Sequence, residues 1–163
     1  MRGSNSHARI LLAEDNPACQ KLALAMLKRL SYEADAVNNG LEVLQALKRQ
    51  MFALLLMDIV MPLMDGIETT RVIRRCYPAS EQPKIIAYTA YVHPDVRKKC
   101  LEAGMDDYIT KPVRLNDMQA ILKKYAGEPD QRQFLCVDHI PPRIRPACDT
   151  TFPGSFPCRS IFQ

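Results

Sequence analysis

Four groups of polar residues carry the chemistry of this sequence. They are Glu14-Asp15, Asp58, Thr89 and Lys111-Pro112. Each stands just after a short run that reads as a strand. If those runs are parallel strands, their carboxyl ends share one edge, and three carboxylates meet beside a lysine and a hydroxyl. Three adjacent carboxylates repel one another, so such a site calls for a cation. Oxygen ligands suit Mg²⁺, which keeps waters and binds through one or two carboxylates plus phosphate oxygens. Phosphoryl transfer needs a nucleophile in line and positive charge on the equatorial oxygens. Asp58 is a suitable nucleophile, because carboxylates form aspartyl phosphates. Lys111 and a metal can hold the phosphoryl oxygens, and Thr89 can donate to one of them.

Taken singly, each group has a plainer reading. Glu14-Asp15 before Pro17, or Asp58 after its strand, could cap a helix. Thr89 alone reads as a satisfied strand-end hydroxyl, and Lys111 as a surface charge. Only their conjunction at strand ends argues for chemistry.

The elements that would position them alternate regularly. Strands are expected at residues 9–13, 34–37, 53–57, 84–88 and 107–109. The run 53–57 is apolar throughout and is the clearest central strand. Helices are expected to start at Asn16-Pro17, with Leu22, Met26 and Leu30 at helical spacing, and at residues 41–49, with Leu44 and Leu47 inward. Others follow Gly66, carrying Ile67 and Ile73, and span 94–103, stopped by Gly104. The last spans 113–125, with Leu115, Met118, Leu122 and Tyr125 on one face. Asn38-Asn39-Gly40 reads as a turn and 78–83 as a polar connection. This alternation implies an α/β fold: a doubly wound, five-stranded parallel sheet with helices on both faces.

The bulk properties exclude other classes. The chain has 163 residues and a formal charge of +4. Its basic residues are scattered apart from Arg74-Arg75 and Arg97-Lys98-Lys99, which read as solvated helix faces. Direct nucleic-acid binding is therefore not expected. The longest apolar run, 51–57, is too short for a membrane span, and no secretory signal is expected at the start. The six cysteines form no C-x-x-C pair and the three histidines are dispersed, which argues against a zinc site. Reduced thiols and a cytoplasmic location are the expectation. Residues 1–7 resemble an expression-tag remnant. The domain is expected over 8–125. Residues 126–163 hold six of the twelve prolines and lack a sustained period, so they read as a flexible or non-native tail. Alternatively, Phe134, Phe152, Phe156 and Phe162 could dock that tail on an apolar surface.

The segment 8–125 resembles the CheY-like receiver domains of response regulators and hybrid histidine kinases, which have a flavodoxin-like (βα)5 fold. The resemblance is carried by Glu14-Asp15-Asn16, the stretch MDIVMPLMDG from Met57 to Gly66, Thr89-Ala90 and Lys111-Pro112. It implies that Asp58 is the phosphoacceptor. Asp15, Asp58 and the backbone carbonyl of Val60 would hold Mg²⁺ (or Mn²⁺), with Glu14 assisting through water. Thr89 would be the switch hydroxyl and Tyr108 the aromatic switch. Lys111 would bind phosphate, with its bond to Pro112 cis. Glu14 replaces the commoner Asp of the family. Met57 reads as core and Met61 and Met64 as loop packing; Cys100 packs its helix. Val60 and Tyr91, two residues after the acceptor and the switch threonine, imply slow loss of phosphate. The implied partner is a histidine kinase or a histidine phosphotransfer domain, and the chain itself a monomer or weak dimer. The chain is not a kinase by itself but would assist its own phosphorylation and dephosphorylation. The parent reads as a hybrid histidine kinase or a stand-alone relay protein. The alternative is a response regulator whose DNA-binding or other output domain is missing from this chain. A phosphatase or flavin carrier on a similar fold is a third reading. It lacks a glycine- or serine-rich loop after the first strand.

Overall fold

The computed structural model describes residues 9–90 and 93–127. Five strands run through it: β1 (Ile10–Ala13), β2 (Ala34–Val37), β3 (Leu54–Met57), β4 (Lys84–Thr89) and β5 (Asp107–Thr110). They form one parallel sheet in the order β2-β1-β3-β4-β5, the doubly wound arrangement expected. Five helices connect and follow them: α1 (Pro17–Arg29), α2 (Gly40–Arg49), α3 (Gly66–Cys76), α4 (Pro94–Ala103) and α5 (Leu115–Tyr125). The expected N-terminal extension, the tail beyond residue 127 and Tyr91 lie outside the described residues.

The central strands are apolar at successive positions because both faces of the sheet are covered. Leu11, Ala13, Leu55, Met57, Ile85 and Ala87 face one layer, with Val43 and Leu44 of α2, Ile73 of α3 and Cys100 of α4. Ile10, Leu12, Leu54, Leu56, Ile86 and Tyr88 face the other, with Ala23 and Leu27 of α1 and Met118 and Leu122 of α5. Each fully buried Leu or Ile contributes roughly 1.5–3 kcal/mol through loss of apolar contact with water. Met57, Met61 and Met64 all pack in the first layer, as their reading as core and loop packing anticipated.

Three details depart from expectation. On α1 the packing face is that of Ala23 and Leu27, and Leu22 is 54% exposed. Apolar residues cover so much of this helix that the leucine stripe and its neighbour are equally periodic; the closer approach to the sheet goes to the smaller Ala23. On α3 the arginine pair divides. Arg75 is exposed, whereas Arg74 is half-buried. Arg74 donates to the Gly104 and Pro83 carbonyls, to Gln82 Oε1 and to Asp106 Oδ2. It thus ties α3 to the turns that lead into β4 and β5. Finally, the last helix begins at Leu115 rather than 113, and Val113 is buried ahead of it.

Candidate functional site

The first strand delivers Glu14 and Asp15, and the helix that follows leaves them free. Asn16, not either acid, caps α1. Its side chain accepts from the Ala18 and Cys19 amides at 2.9 and 3.2 Å, and Pro17 follows where an N–H is not needed. Likewise Asp65, not Asp58, caps α3, accepting from the Glu68 amide at 2.7 Å. The capping readings of the acids therefore fail on geometry, and all three carboxylates turn to the sheet edge. Oxygens of Glu14, Asp15 and Asp58 lie within 4.8 Å of one another.

Asp58 is 8% exposed and Glu14 1%, while Asp15 is exposed. Asp58 Oδ1 accepts from the Ile59 amide at 2.6 Å. That contact fixes the carboxylate at the start of the β3–α3 loop. The loop is held close by Gly66, whose amide donates to the Ile59 carbonyl at 2.9 Å. A Cβ on Gly66 would stand 2.1 Å from the Asp58 carbonyl oxygen, so only glycine lets α3 start here.

Lys111 reaches in from the far end of β5, and its bond to Pro112 is cis, as the resemblance implied. Its ammonium donates to Glu14 Oε2 and to Asp58 Oδ2, the latter at 2.5 Å. With 14% of its side chain exposed it is no surface lysine. The same Nζ lies 4.6 Å from the centroid of the Tyr88 ring. Burial pushes the Glu14 carboxyl above its ordinary value, with the Asp58 charge adding to this; Lys111 opposes the shift without cancelling it. Burial alone would lower Lys111, but its hydrogen bonds to Asp58 and Glu14 outweigh that and raise it.

Three carboxylates against one ammonium leave this corner with unbalanced negative charge. The donors are all hard oxygens, and the exposed Asp15 opens the cluster to solvent. That set fits a hard divalent cation of the Mg²⁺ kind. Val60 lies in the adjoining loop with its side chain 56% exposed.

Thr89 is 2% exposed at the end of β4 and faces the opposite side of the sheet from Tyr88. It and Tyr108 line one cavity of about 390 Å³ together with Ile59, Val96 and Cys100. Tyr108 is half-buried, and the Arg97 guanidinium stacks over its ring at 4.4 Å. All the expected site residues within the described part therefore gather at one sheet edge, with Thr89 and Tyr108 on its α4 side. Sequence reasoning missed Tyr88 and Arg97. Strand alternation was the available signal for the first, since it places residue 88 on the opposite face from the switch threonine. For Arg97 nothing in the spacing pointed to residue 108.

The chain belongs to the response regulator receiver domain family, whose model matches residues 10–123. It is 41% identical over 125 residues to histidine protein kinase 1 of Candida albicans, covering 71% of this chain and 5% of that protein. It is 34% identical over 126 residues to the sensor protein GacS of Pseudomonas syringae pv. syringae, covering 76% of this chain and 14% of that protein. The chain thus spans only a small part of the curated relatives it matches. Among solved structures it resembles the receiver domain of the sensor histidine kinase PA1611 from Pseudomonas aeruginosa PAO1, which has magnesium coordinated in its active-site cleft. The two are 38% identical with a TM-score of 0.68, covering 76% of this chain and all of that one. A Saccharomyces cerevisiae response-regulator receiver, crystallised with the histidine phosphotransfer protein Ypd1, is 26% identical with a TM-score of 0.66, covering 72% of this chain and 88% of that one. Among the described residues no helix is long and apolar enough to cross a membrane.

Proposed function

We propose that this chain is the phosphoacceptor module of a histidine-to-aspartate relay and that Asp58 takes the phosphoryl group. The observation that carries the reading is the Lys111 ammonium held against both Asp58 Oδ2 and Glu14 Oε2 within a cluster of three carboxylates. Asp58 Oδ1 accepts from the Ile59 amide and Oδ2 from Lys111; Oδ2, beside the ammonium that is to meet the phosphoryl oxygens, is the attacking atom. Its lone pair forms the new P–O bond as the donor P–N bond breaks, and the electron pair leaves with the imidazole, which takes its proton from solvent. The product is a mixed acyl phosphate. Lys111 is already beside the new bond and shifts its hydrogen bond from carboxylate to phosphoryl oxygen. Thr89 donates to another phosphoryl oxygen and moves toward it.

Asp15, Asp58, the Val60 carbonyl and, through water, Glu14 would hold Mg²⁺ or Mn²⁺. When bound, the ion neutralises charge on the phosphoryl oxygens. The movement of Thr89 changes the cavity it shares with Tyr108 and so biases the surface of α4, β5 and α5 between two arrangements.

The donor is a histidine kinase or a histidine phosphotransfer domain, and the parent protein a hybrid histidine kinase. The relatives, which are themselves histidine kinases and sensor proteins, support this over a regulator with a missing output domain. Cytoplasmic placement accords with the reduced thiols of Cys19 and Cys100 among the described residues. The test is transfer from a radiolabelled phosphohistidine donor in the presence of Mg²⁺. Label should move to the wild-type chain and not to Asp58→Asn. Transfer that survives Asp58→Asn refutes the assignment.

A further inference from the structure

Tyr88 and Thr89 are neighbours at the end of β4 whose side chains serve opposite faces of the sheet. Thr89 lines the cavity beside α4. Tyr88 is 3% exposed in the layer formed with α1 and α5, packed with Leu12, Leu56 and Met118. Its ring lies under the Lys111 ammonium, 4.6 Å from centroid to Nζ. Lysine is a point charge on a four-carbon stem with three rotatable donors, and hydrogen bonds alone hold it loosely. Here two of its contacts are to Glu14 and Asp58, and the second must change partner when Asp58 becomes an acyl phosphate. The contact with the ring face does not depend on the state of Asp58. An aromatic face attracts a cation through its quadrupole, and more strongly when both are shielded from water.

We propose that Tyr88 is a positioning residue for phosphoryl transfer: its ring face holds the Lys111 ammonium beside Asp58 while the carboxylate becomes an acyl phosphate. The proposal rests on the function above, in which Lys111 meets the phosphoryl oxygens. The ring also fills the core, so the variants must separate packing from the electrostatic face. Tyr88→Phe keeps both. Replacement of Tyr88 by 3,4,5-trifluorophenylalanine keeps the shape and removes most of the negative charge of the face. Tyr88→Leu removes the face altogether.

The assay is the rate of phosphorylation of the full chain by acetyl phosphate with Mg²⁺, followed by intact mass. Alongside it, NMR of the chain without donor reads the ring-current shift on the Lys111 ε-protons. Tyr88→Phe should react within about twofold of wild type, whereas the trifluoro variant and Tyr88→Leu should be about tenfold slower. The Lys111 ε-protons should be shifted upfield in wild type and Tyr88→Phe and not in Tyr88→Leu. Should Tyr88→Leu not fold, the trifluoro variant decides. Equal rates for wild type and the trifluoro variant overturn the proposal alone, as does an unshifted Lys111 in the wild type. A wild type that takes no phosphoryl group while Lys111 is shifted overturns the proposed function, and the positioning role falls with it.

Discussion

Replacing Lys111 by methionine tests whether its ammonium is what makes the cluster of acids tolerable. Methionine keeps much of the length and the apolar stem, so packing against Tyr88 is largely preserved. The charge is lost, and Glu14 (1% exposed) and Asp58 (8%) are left with no cation between them. Breaking a fully buried ion pair costs about 3–5 kcal/mol. Asp15 at the mouth is exposed and water can reach part of the site, so the expected loss is smaller, about 2–3 kcal/mol near neutral pH. The pH dependence follows from Glu14. Its carboxyl already sits above its ordinary value through burial and the neighbouring Asp58, with Lys111 pulling it down. Without Lys111 it rises further. A carboxyl raised in the fold favours the folded state below its unfolded value, and that advantage disappears as pH climbs through the folded value. Lowering the pH from about 7 to about 5 should therefore restore more stability to Lys111→Met than to wild type. Mg²⁺ should also stabilise the variant more, since it meets no competing ammonium. Urea unfolding at both pH values, with and without Mg²⁺, measures this. A loss that is the same at both pH values and unaffected by Mg²⁺ would show that Lys111 matters only as packing.

Gly66→Ala should displace the acceptor loop, because the added methyl would lie 2.1 Å from the Asp58 carbonyl oxygen and 2.8 Å from Met57 Cγ. A loss of about 2–3 kcal/mol in urea unfolding, with slowed phosphorylation by acetyl phosphate, is the expected outcome; wild-type values for both would refute it. Val60 carries no group able to orient a water, so the phosphorylated chain should persist for many minutes, and Val60→Asn should shorten that lifetime. Equal decay of the two would remove the argument. Burial raises the Asp107 carboxyl, but hydrogen bonds from Lys124 Nζ, the Tyr108 amide and the Tyr125 hydroxyl together hold it below its ordinary value. A lowered carboxyl stabilises the fold above its unfolded value, and the benefit fades as pH falls through the folded one. Asp107→Asn should therefore be less stable than wild type near neutrality, and the gap should narrow as the pH falls below the ordinary carboxylate range, as read from thermal unfolding.

The order of elements was legible because β1 and β3 are short, wholly apolar runs closed by acids, the other strands follow at matching intervals, and α1 and α4 carry their own start and stop signals. Asn16-Pro17 and Gly104 occupy the capping positions their types suggest, and Gly104 adopts the left-handed conformation at φ 99°. The site was legible for the same reason: strand ends of a parallel sheet share an edge, so Glu14, Asp15, Asp58, Thr89 and Lys111 could be brought together by counting strands. Contacts made between elements were not. The burial of Arg74 depends on carbonyls and acids supplied by residues 82, 83, 104 and 106, which no local pattern on α3 announces. The choice between Leu22 and Ala23 as the packing residue of α1 turns on how closely that helix approaches the sheet. The Tyr88–Lys111 and Arg97–Tyr108 contacts join residues whose spacing carries no periodicity, and only the folded distances reveal them.

The most direct test of the central claim is intact mass of the chain after incubation with acetyl phosphate and Mg²⁺. One added phosphoryl group on wild type, lost on treatment with hydroxylamine and absent from Asp58→Asn, is the predicted result. No addition to wild type, or an addition that persists in Asp58→Asn, would contradict it.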